Sequence, residues 1–338
     1  MEEGEGLSMP RSQAVTLAVL GAALATAAGA LPVADGSGGQ ATRTFRFTYS
    51  VAVRDIPAGA RRLSIWIPVP KTDRHQEVID LQVKAPLEHE ITQEKRFGNR
   101  LLHLSAAAPL PKAIELRLEA VVARRAYSVL AGESRLPDDD PPTAQDLAPD
   151  ALVPIDGKIA AAARQATRGA RTPLTKARAI YDYVTSTMRY DKSGEGWGRG
   201  DALHACDVRR GNCTDFHSLI IGMARACDIP ARFVMGFPLP ENRKGDEIPG
   251  YHCWAELYVK GVGWLPLDSS EASKHPEKRA LLFGGLDANR VEFTRGRDLV
   301  LEPPASAPLN FLVYPRVEVD GIEYPGVTRT FSFAEIRT

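Results

Sequence analysis

The sequence is short of charge imbalance, of cysteine and of long apolar runs, and each shortage closes off a class of function. Lys and Arg number 42 against 42 Asp and Glu, a formal net charge of +0 at pH 7. There is thus no basic field for nucleic acid or an anionic membrane, and no basic patch interleaved with aromatics. Four cysteines in 338 residues are too few for a disulfide scaffold. The main apolar run, Ala14 to Ala28, is about 15 residues long, short of the roughly 20 that a membrane-spanning helix needs. A glycine-rich stretch from Gly194 to Gly200 is followed by neither a Lys-Ser/Thr pair nor a dinucleotide fingerprint, which argues against phosphate binding. No internal repeats are visible.

What is present is globular: 44% hydrophobic and 25% charged residues can bury a sizeable core, and the length fits two domains better than one. The start reads as an address. Arg11, the apolar run and the small-x-small triplet Ala28-Gly29-Ala30 predict a signal peptide over 1–30, with a mature chain from near Leu31. Met9 is a more natural start than Met1, because Glu2, Glu3 and Glu5 do not suit a signal n-region. No cysteine follows the run, so it is not a lipoprotein signal. The expected location is secreted or periplasmic, the alternative being an uncleaved N-terminal anchor; membrane contact is confined to this segment.

After a linker at 31–42, Phe45, Phe47, Tyr49, Val51 and Val53 alternate along one face of a half-buried antiparallel strand. Further strands at Leu63–Ile67, Ile79–Val83, Leu101–Leu104 and Ile114–Val122, with a Gly98-Asn99 turn, predict a small β-sandwich over 43–130. A stretch dense in Pro and Asp marks a linker over 131–153. Two helices follow, one at Asp156–Thr167 and one opened by Thr172-Pro173, an N-cap with proline at the first helical position. Strands near Val291–Phe293, Phe311–Tyr314, Arg316–Val319, Ile322–Tyr324 and Phe331–Phe333 form a C-terminal β extension over 291–338.

The chemistry concentrates at Arg210–Phe237. Asn212 is a good N-cap and Asp215 a good first-turn acid, while Phe216, Leu219, Ile220, Met223 and Cys227 recur at helical spacing. A helix therefore starts at Cys213, where unpaired N–H groups and the dipole favour a thiolate. Downstream, His252, Trp254 and Glu256 share one face of a strand, and Trp264–Asp268 reads as its neighbour ending in a carboxylate. Cys213, His252 and Asp268 are then nucleophile, base and orienter for acyl transfer. Glu256 reads as structural.

The succession Gly-x-Cys-x-Asp-Phe, Pro-Ala-Arg-Phe, His-x-Trp-Ala-Glu and Gly-Trp-x-Pro-x-Asp, running from about Tyr181 to Asp268, resembles the bacterial branch of the transglutaminase-like superfamily. The resemblance implies an α+β, cysteine-proteinase-like core over 154–290, with helices packed on an antiparallel sheet and preceded by an all-β sandwich-like domain. It carries the triad onto Cys213, His252 and Asp268, and implies no cofactor and a peptide or protein substrate. Hydrolysis of peptide or isopeptide bonds is preferred to amine transfer, since an exported enzyme meets water readily. His217 departs from the small residue often found there. Trp197, on a mobile glycine-rich loop, His217 and Trp254 are the candidate substrate contacts. The rival of another class is a metal module built on His204, Cys206, Cys213 and His217, whose spacing matches no standard knuckle; an inactive binding domain is a third reading. With Cys213 as nucleophile, at most one disulfide remains among Cys206, Cys227 and Cys253.

Overall fold

Alternating burial along the first strand sets the plan of the molecule: Phe45, Phe47, Tyr49, Val51 and Val53 are all buried, as the period-two pattern requires. A computed structural model describes residues 41–131, 140–241 and 244–336. The signal segment and nearly all of the first expected linker lie outside the described residues. In chain order these form β1 (Thr42–Val53), β2 (Arg62–Val69), β3 (Gln76–Lys84), β4 (His89–Gln93), β5 (Arg100–Ala107), β6 (Ile114–Arg125) and β7 (Tyr127–Ser128). Next come α1 (Gly157–Ala166), α2 (Pro173–Thr187), β8 (Arg189–Tyr190), α3 (Ala202–Val208), β9 (Arg210–Gly211), α4 (Cys213–Arg225), β10 (Ala231–Pro238) and β11 (Gly245–Glu247). The remainder is β12 (His252–Val259), β13 (Gly263–Leu267), α5 (Ser269–Lys274), β14 (Gly285–Leu286), β15 (Arg290–Arg295), β16 (Arg316–Val319), β17 (Ile322–Glu323) and β18 (Val327–Glu335). No helix among the described residues is long and apolar enough to cross a membrane.

The fold is α+β. Two antiparallel five-stranded sheets, ordered β11-β18-β1-β6-β3 and β17-β16-β2-β5-β4, stand beside a four-stranded sheet ordered β13-β12-β10-β15. The expected division into a separate sandwich, linker and C-terminal extension gives way, among the described residues, to a single unit. The reason lies in strand pairing. β18 runs along β1 from Phe45↔Glu335 to Val53↔Val327, and β16 runs along β2, so the last strands complete the first sheets, while β15 joins the smaller sheet. An aromatic cluster fuses the parts: Phe237 of β10 lies 5.1 Å from Phe47 and 4.4 Å from Phe331, centroid to centroid, each such pair adding roughly 0.5–1.5 kcal/mol beyond area burial. The supposed linker is anchored too, because buried Arg225 donates to Ala148 O at 2.7 Å and to Asp150 Oδ2 at 2.7 Å. Phe311–Tyr314, expected as a strand, has no ladder; instead Val313 O accepts from Tyr49 Oη at 3.0 Å.

At the centre is α4, whose 13 residues are all buried. Its stripe of Phe216, Leu219, Ile220 and Met223 appears as the spacing required, but the helix is enclosed on every side, as a core helix is. Cys227, placed on that stripe by spacing, lies beyond the helix end and is half-buried, its Sγ 3.9 Å from Thr167 Oγ1.

Candidate active site

Cys213 occupies the first position of α4, and local chemistry fixes it there. Asn212 Oδ1 accepts the Thr214 N–H at 2.9 Å, while the Asn212 N–H donates to Asp215 Oδ2 at 2.9 Å, so side chain and backbone close the first turn reciprocally. Gly211 has a reason as well: a Cβ at this position would stand 2.3 Å from Asp215 Oδ2, which no larger residue could share. Asp215 also accepts from Gly198 N at 2.7 Å and Gly200 N at 3.1 Å. The glycine-rich loop thus hangs on the carboxylate that caps the helix. Arg297 Nη1 donates to Gly200 O at 2.8 Å and Asn310 Nδ2 to Arg199 O at 2.7 Å. Read from sequence as mobile, the loop is tied down at its C-terminal half, with Trp197 half-buried and Lys192 Nζ 5.8 Å from its ring centre.

His252 opens β12 opposite Gly236 of β10. Its Nε2 lies 2.6 Å from Asp268 Oδ2, leaving Nδ1 as the nitrogen that meets the Cys213 thiol, with which it is hydrogen-bonded. Asp268 follows β13 directly and caps α5, Oδ1 accepting from Glu271 N at 3.0 Å and Ser270 Oγ at 3.1 Å. Arg290, at the head of β15, donates to Asp268 Oδ2 at 3.0 Å and through Nε to Asp287 Oδ1 at 3.2 Å. Sequence reasoning missed Arg290, which closed a segment read as polar; the signal was a cation immediately before an apolar strand.

The electrostatics follow from these contacts. A hydrogen bond from Cys253 holds the Cys213 thiol well below its ordinary range; burial opposes this, and the His252 hydrogen bond and charge add to it. Burial works against charge on His252, but the Asp268 carboxylate and the Cys213 sulfur overcome it and push its pKa up to about 10. Burial likewise opposes the Asp268 charge, and His252 and Arg290 together hold its carboxyl well below the usual range. The resting state these shifts favour is a thiolate–imidazolium pair.

Residues 160–269 match the profile of the Transglutaminase-like superfamily. They are a transglutaminase-like domain. An uncharacterized protein of Haemophilus influenzae is 28% identical over 319 residues, covering 82% of this chain and 85% of that protein. Mycobacterium leprae has an uncharacterized protein, ML0607, that is 29% identical over 159 residues, 44% of this chain and 53% of that protein. Among solved structures, a Cytophaga hutchinsonii protein described as a "Putative Cysteine Protease" superposes with a TM-score of 0.60 at 18% identity, covering 88% of this chain and 92% of that one. The likeness shows the fold.

Other residues of the transglutaminase-like domain fall differently from the sequence reading. Trp254 and His217 are both fully buried. Trp254 stands behind His252, with the Arg290 guanidinium 5.2 Å from its ring centre, and His217 lies beneath Cys213 on α4; neither presents a surface to a substrate. Of the three proposed contacts only Trp197, on the glycine-rich loop, keeps part of its side chain exposed. The rival metal set does not converge: among the described residues no three His, Cys, Asp or Glu side chains are placed so that they could hold a metal ion. His204 packs under Gly196 instead, where a Cβ would lie 2.7 Å from its ring. All four cysteines are free thiols.

Proposed function

We propose that the protein is a cysteine acyl-transfer enzyme, a peptidase or amidase, in which Cys213 is the nucleophile, His252 the proton shuttle and Asp268 the orienter. The observation that carries this reading is the 2.6 Å contact between His252 Nε2 and Asp268 Oδ2, which turns Nδ1 to a thiol at a helix N-terminus. The Cys213 thiolate adds to an amide carbonyl. The oxyanion is received by the Cys213 N–H, a first-turn amide with no acceptor inside its helix. Collapse of the adduct expels the amine, which takes the proton from His252 Nδ1 and leaves a thioester on Cys213. Water then attacks the thioester, giving its proton to Nδ1; the acid departs, and thiolate and imidazolium are restored. The fold neighbour described as a "Putative Cysteine Protease" agrees in reaction class.

Water is the preferred acceptor because the chain reads as exported, through Arg11 and the Ala28-Gly29-Ala30 site. The test is mass spectrometry of a peptide library incubated with the protein, with and without added amine, beside Cys213→Ala. Hydrolysed peptides that vanish in the variant are expected. Products carrying the added amine would make it a transferase, and identical peptide patterns from both proteins would remove Cys213 from the chemistry.

A further inference from the structure

The nucleophile has a second neighbour that the acyl-transfer scheme does not use. Cys253 follows His252 on β12, and its side chain is hydrogen-bonded to that of Cys213. On its far side, Cys253 Sγ lies 3.5 Å from His217 Nδ1. The direction of these bonds can be worked out. The Ser269 N–H points at His217 Nε2 from 3.1 Å, and a backbone amide can only donate, so Nε2 carries the lone pair. Asp268 Oδ1 is 3.6 Å from the same nitrogen, but with the amide seated there no ion pair forms. Burial also keeps His217 neutral, lowering its pKa to about 4. A neutral imidazole with Nε2 unprotonated has its proton on Nδ1. That N–H lies 3.5 Å from the Cys253 sulfur and is shared between it and the Cys213 backbone, to which His217 is also hydrogen-bonded, which leaves the Cys253 S–H free to donate onward.

We infer that His217 and Cys253 are positioning residues for the nucleophile: a relay running Ser269 N–H to His217, His217 Nδ1–H to Cys253, and Cys253 S–H to the Cys213 thiolate. The inference rests on Cys213 being the nucleophile. His252 must part with its proton when the leaving amine departs. The Cys253 donor stays in place through every step and steadies negative charge on sulfur whichever side of the imidazole the proton is on. The groups facing Cys213 are Asp215 and His217 of α4, Tyr190 of β8, Tyr251, His252 and Cys253 in and before β12, and Asp268 with Arg290 behind it. Of these, Cys253 and His252 are the ones hydrogen-bonded to the Cys213 side chain, and Cys253 is the neutral donor of the two, held in turn by buried His217.

The experiment is the pH dependence of iodoacetamide alkylation of Cys213, read by peptide mapping on reduced full-length protein. In wild type, Cys213 is alkylated before the other thiols, with a midpoint below that of a free cysteine. Cys253→Ala is expected to raise the midpoint by about one pH unit, the value of one charge-assisted hydrogen bond from a weak donor. Cys253→Ser, which keeps a donor, should bring it back close to wild type. His217→Met, which removes the link behind Cys253, should raise the midpoint by a smaller amount, and it decides the matter if Cys253→Ala does not fold. A role in packing alone would alter stability and leave the midpoint in place. Cys213 still alkylated first, with the same midpoint in Cys253→Ala or His217→Met as in wild type, overturns the relay alone. A Cys213 unreactive in wild type overturns the nucleophile assignment and the relay with it.

Discussion

The two ends of β12 bury charge in different ways. At the Glu256 end, Glu256 Oε2 takes Arg232 Nε at 2.6 Å, and Arg232 reaches Asp140 at 2.7 Å while lying 3.8 Å over the Trp264 ring. Arg295 joins the same region, pairing with Glu292 at 2.6 Å and Asp73 at 3.0 Å. Each charge there meets fixed opposite charge, and Glu256 is held down to about 2, burial being outweighed by Arg232 and Arg295. At the His252 end, two residues along the face from Trp254, one proton is shared between an imidazole and a thiol. Burial and perturbed ionisation occur at both ends, so neither marks a reactive site. The difference is a proton with two places to go, next to a group that can form a bond to carbon.

The largest test of that contrast is Asp268→Asn. Asn keeps an oxygen to cap α5 but cannot hold an imidazolium, so turnover should fall on the order of 10²- to 10⁴-fold with an unchanged circular dichroism spectrum. A rate near wild type would erase the distinction between the ends. Glu256→Ala should do the reverse. It leaves Arg232 buried beside a missing partner, so denaturant unfolding should show a loss of about 3–5 kcal/mol, while turnover per folded molecule stays within about twofold of wild type, the change usual for sites remote from the chemistry. Lost turnover at full stability would place Glu256 in the reaction.

The smallest effect concerns His217, the buried histidine that does not ionise. Burial lowers its pKa to about 4, whereas the unfolded chain titrates near its ordinary value of about 6.5. Between those values the unfolded state binds a proton that the folded state refuses, so stability falls as the pH drops from about 6.5 towards 4, by up to about 3 kcal/mol. His75, stacked at 3.4 Å on Tyr127 and also lowered to about 4 by burial, adds to the same slope. Chemical denaturation at several pH values should show His217→Met with a shallower acid slope than wild type; an identical slope would mean that His217 takes up its proton in the folded protein.

Much of the candidate site was legible because it is written in short-range signals. An N-cap, a first-turn acid and a helical stripe located Cys213 within a few residues, and period-two alternation put His252, Trp254 and Glu256 on one face. What escaped depends on distant pieces meeting. Arg290 looked like a solvated charge until β15 brought it under Asp268, and the glycine-rich loop looked free because its anchor, Asp215, had already been given a role as a helix-start acid. The strands at both ends of the chain were legible one by one, but not that β16 and β18 complete the sheets of β2 and β1. Those pairings reach across nearly the whole chain, and a local pattern shows that a strand has one buried face without showing which strand lies beside it.

That pairing bears on how the protein comes into being. Arg43 of β1 is bonded to Glu335 of β18 across 292 positions, and β2 finds β16 over a comparable distance. At a synthesis rate of about 5–20 residues per second, the opening strands wait roughly 15–60 s for their neighbours to be made. During that interval each has a bare edge, open to chaperones. The native topology therefore keeps the emerging chain from closing its first two sheets until the last strands have left the ribosome.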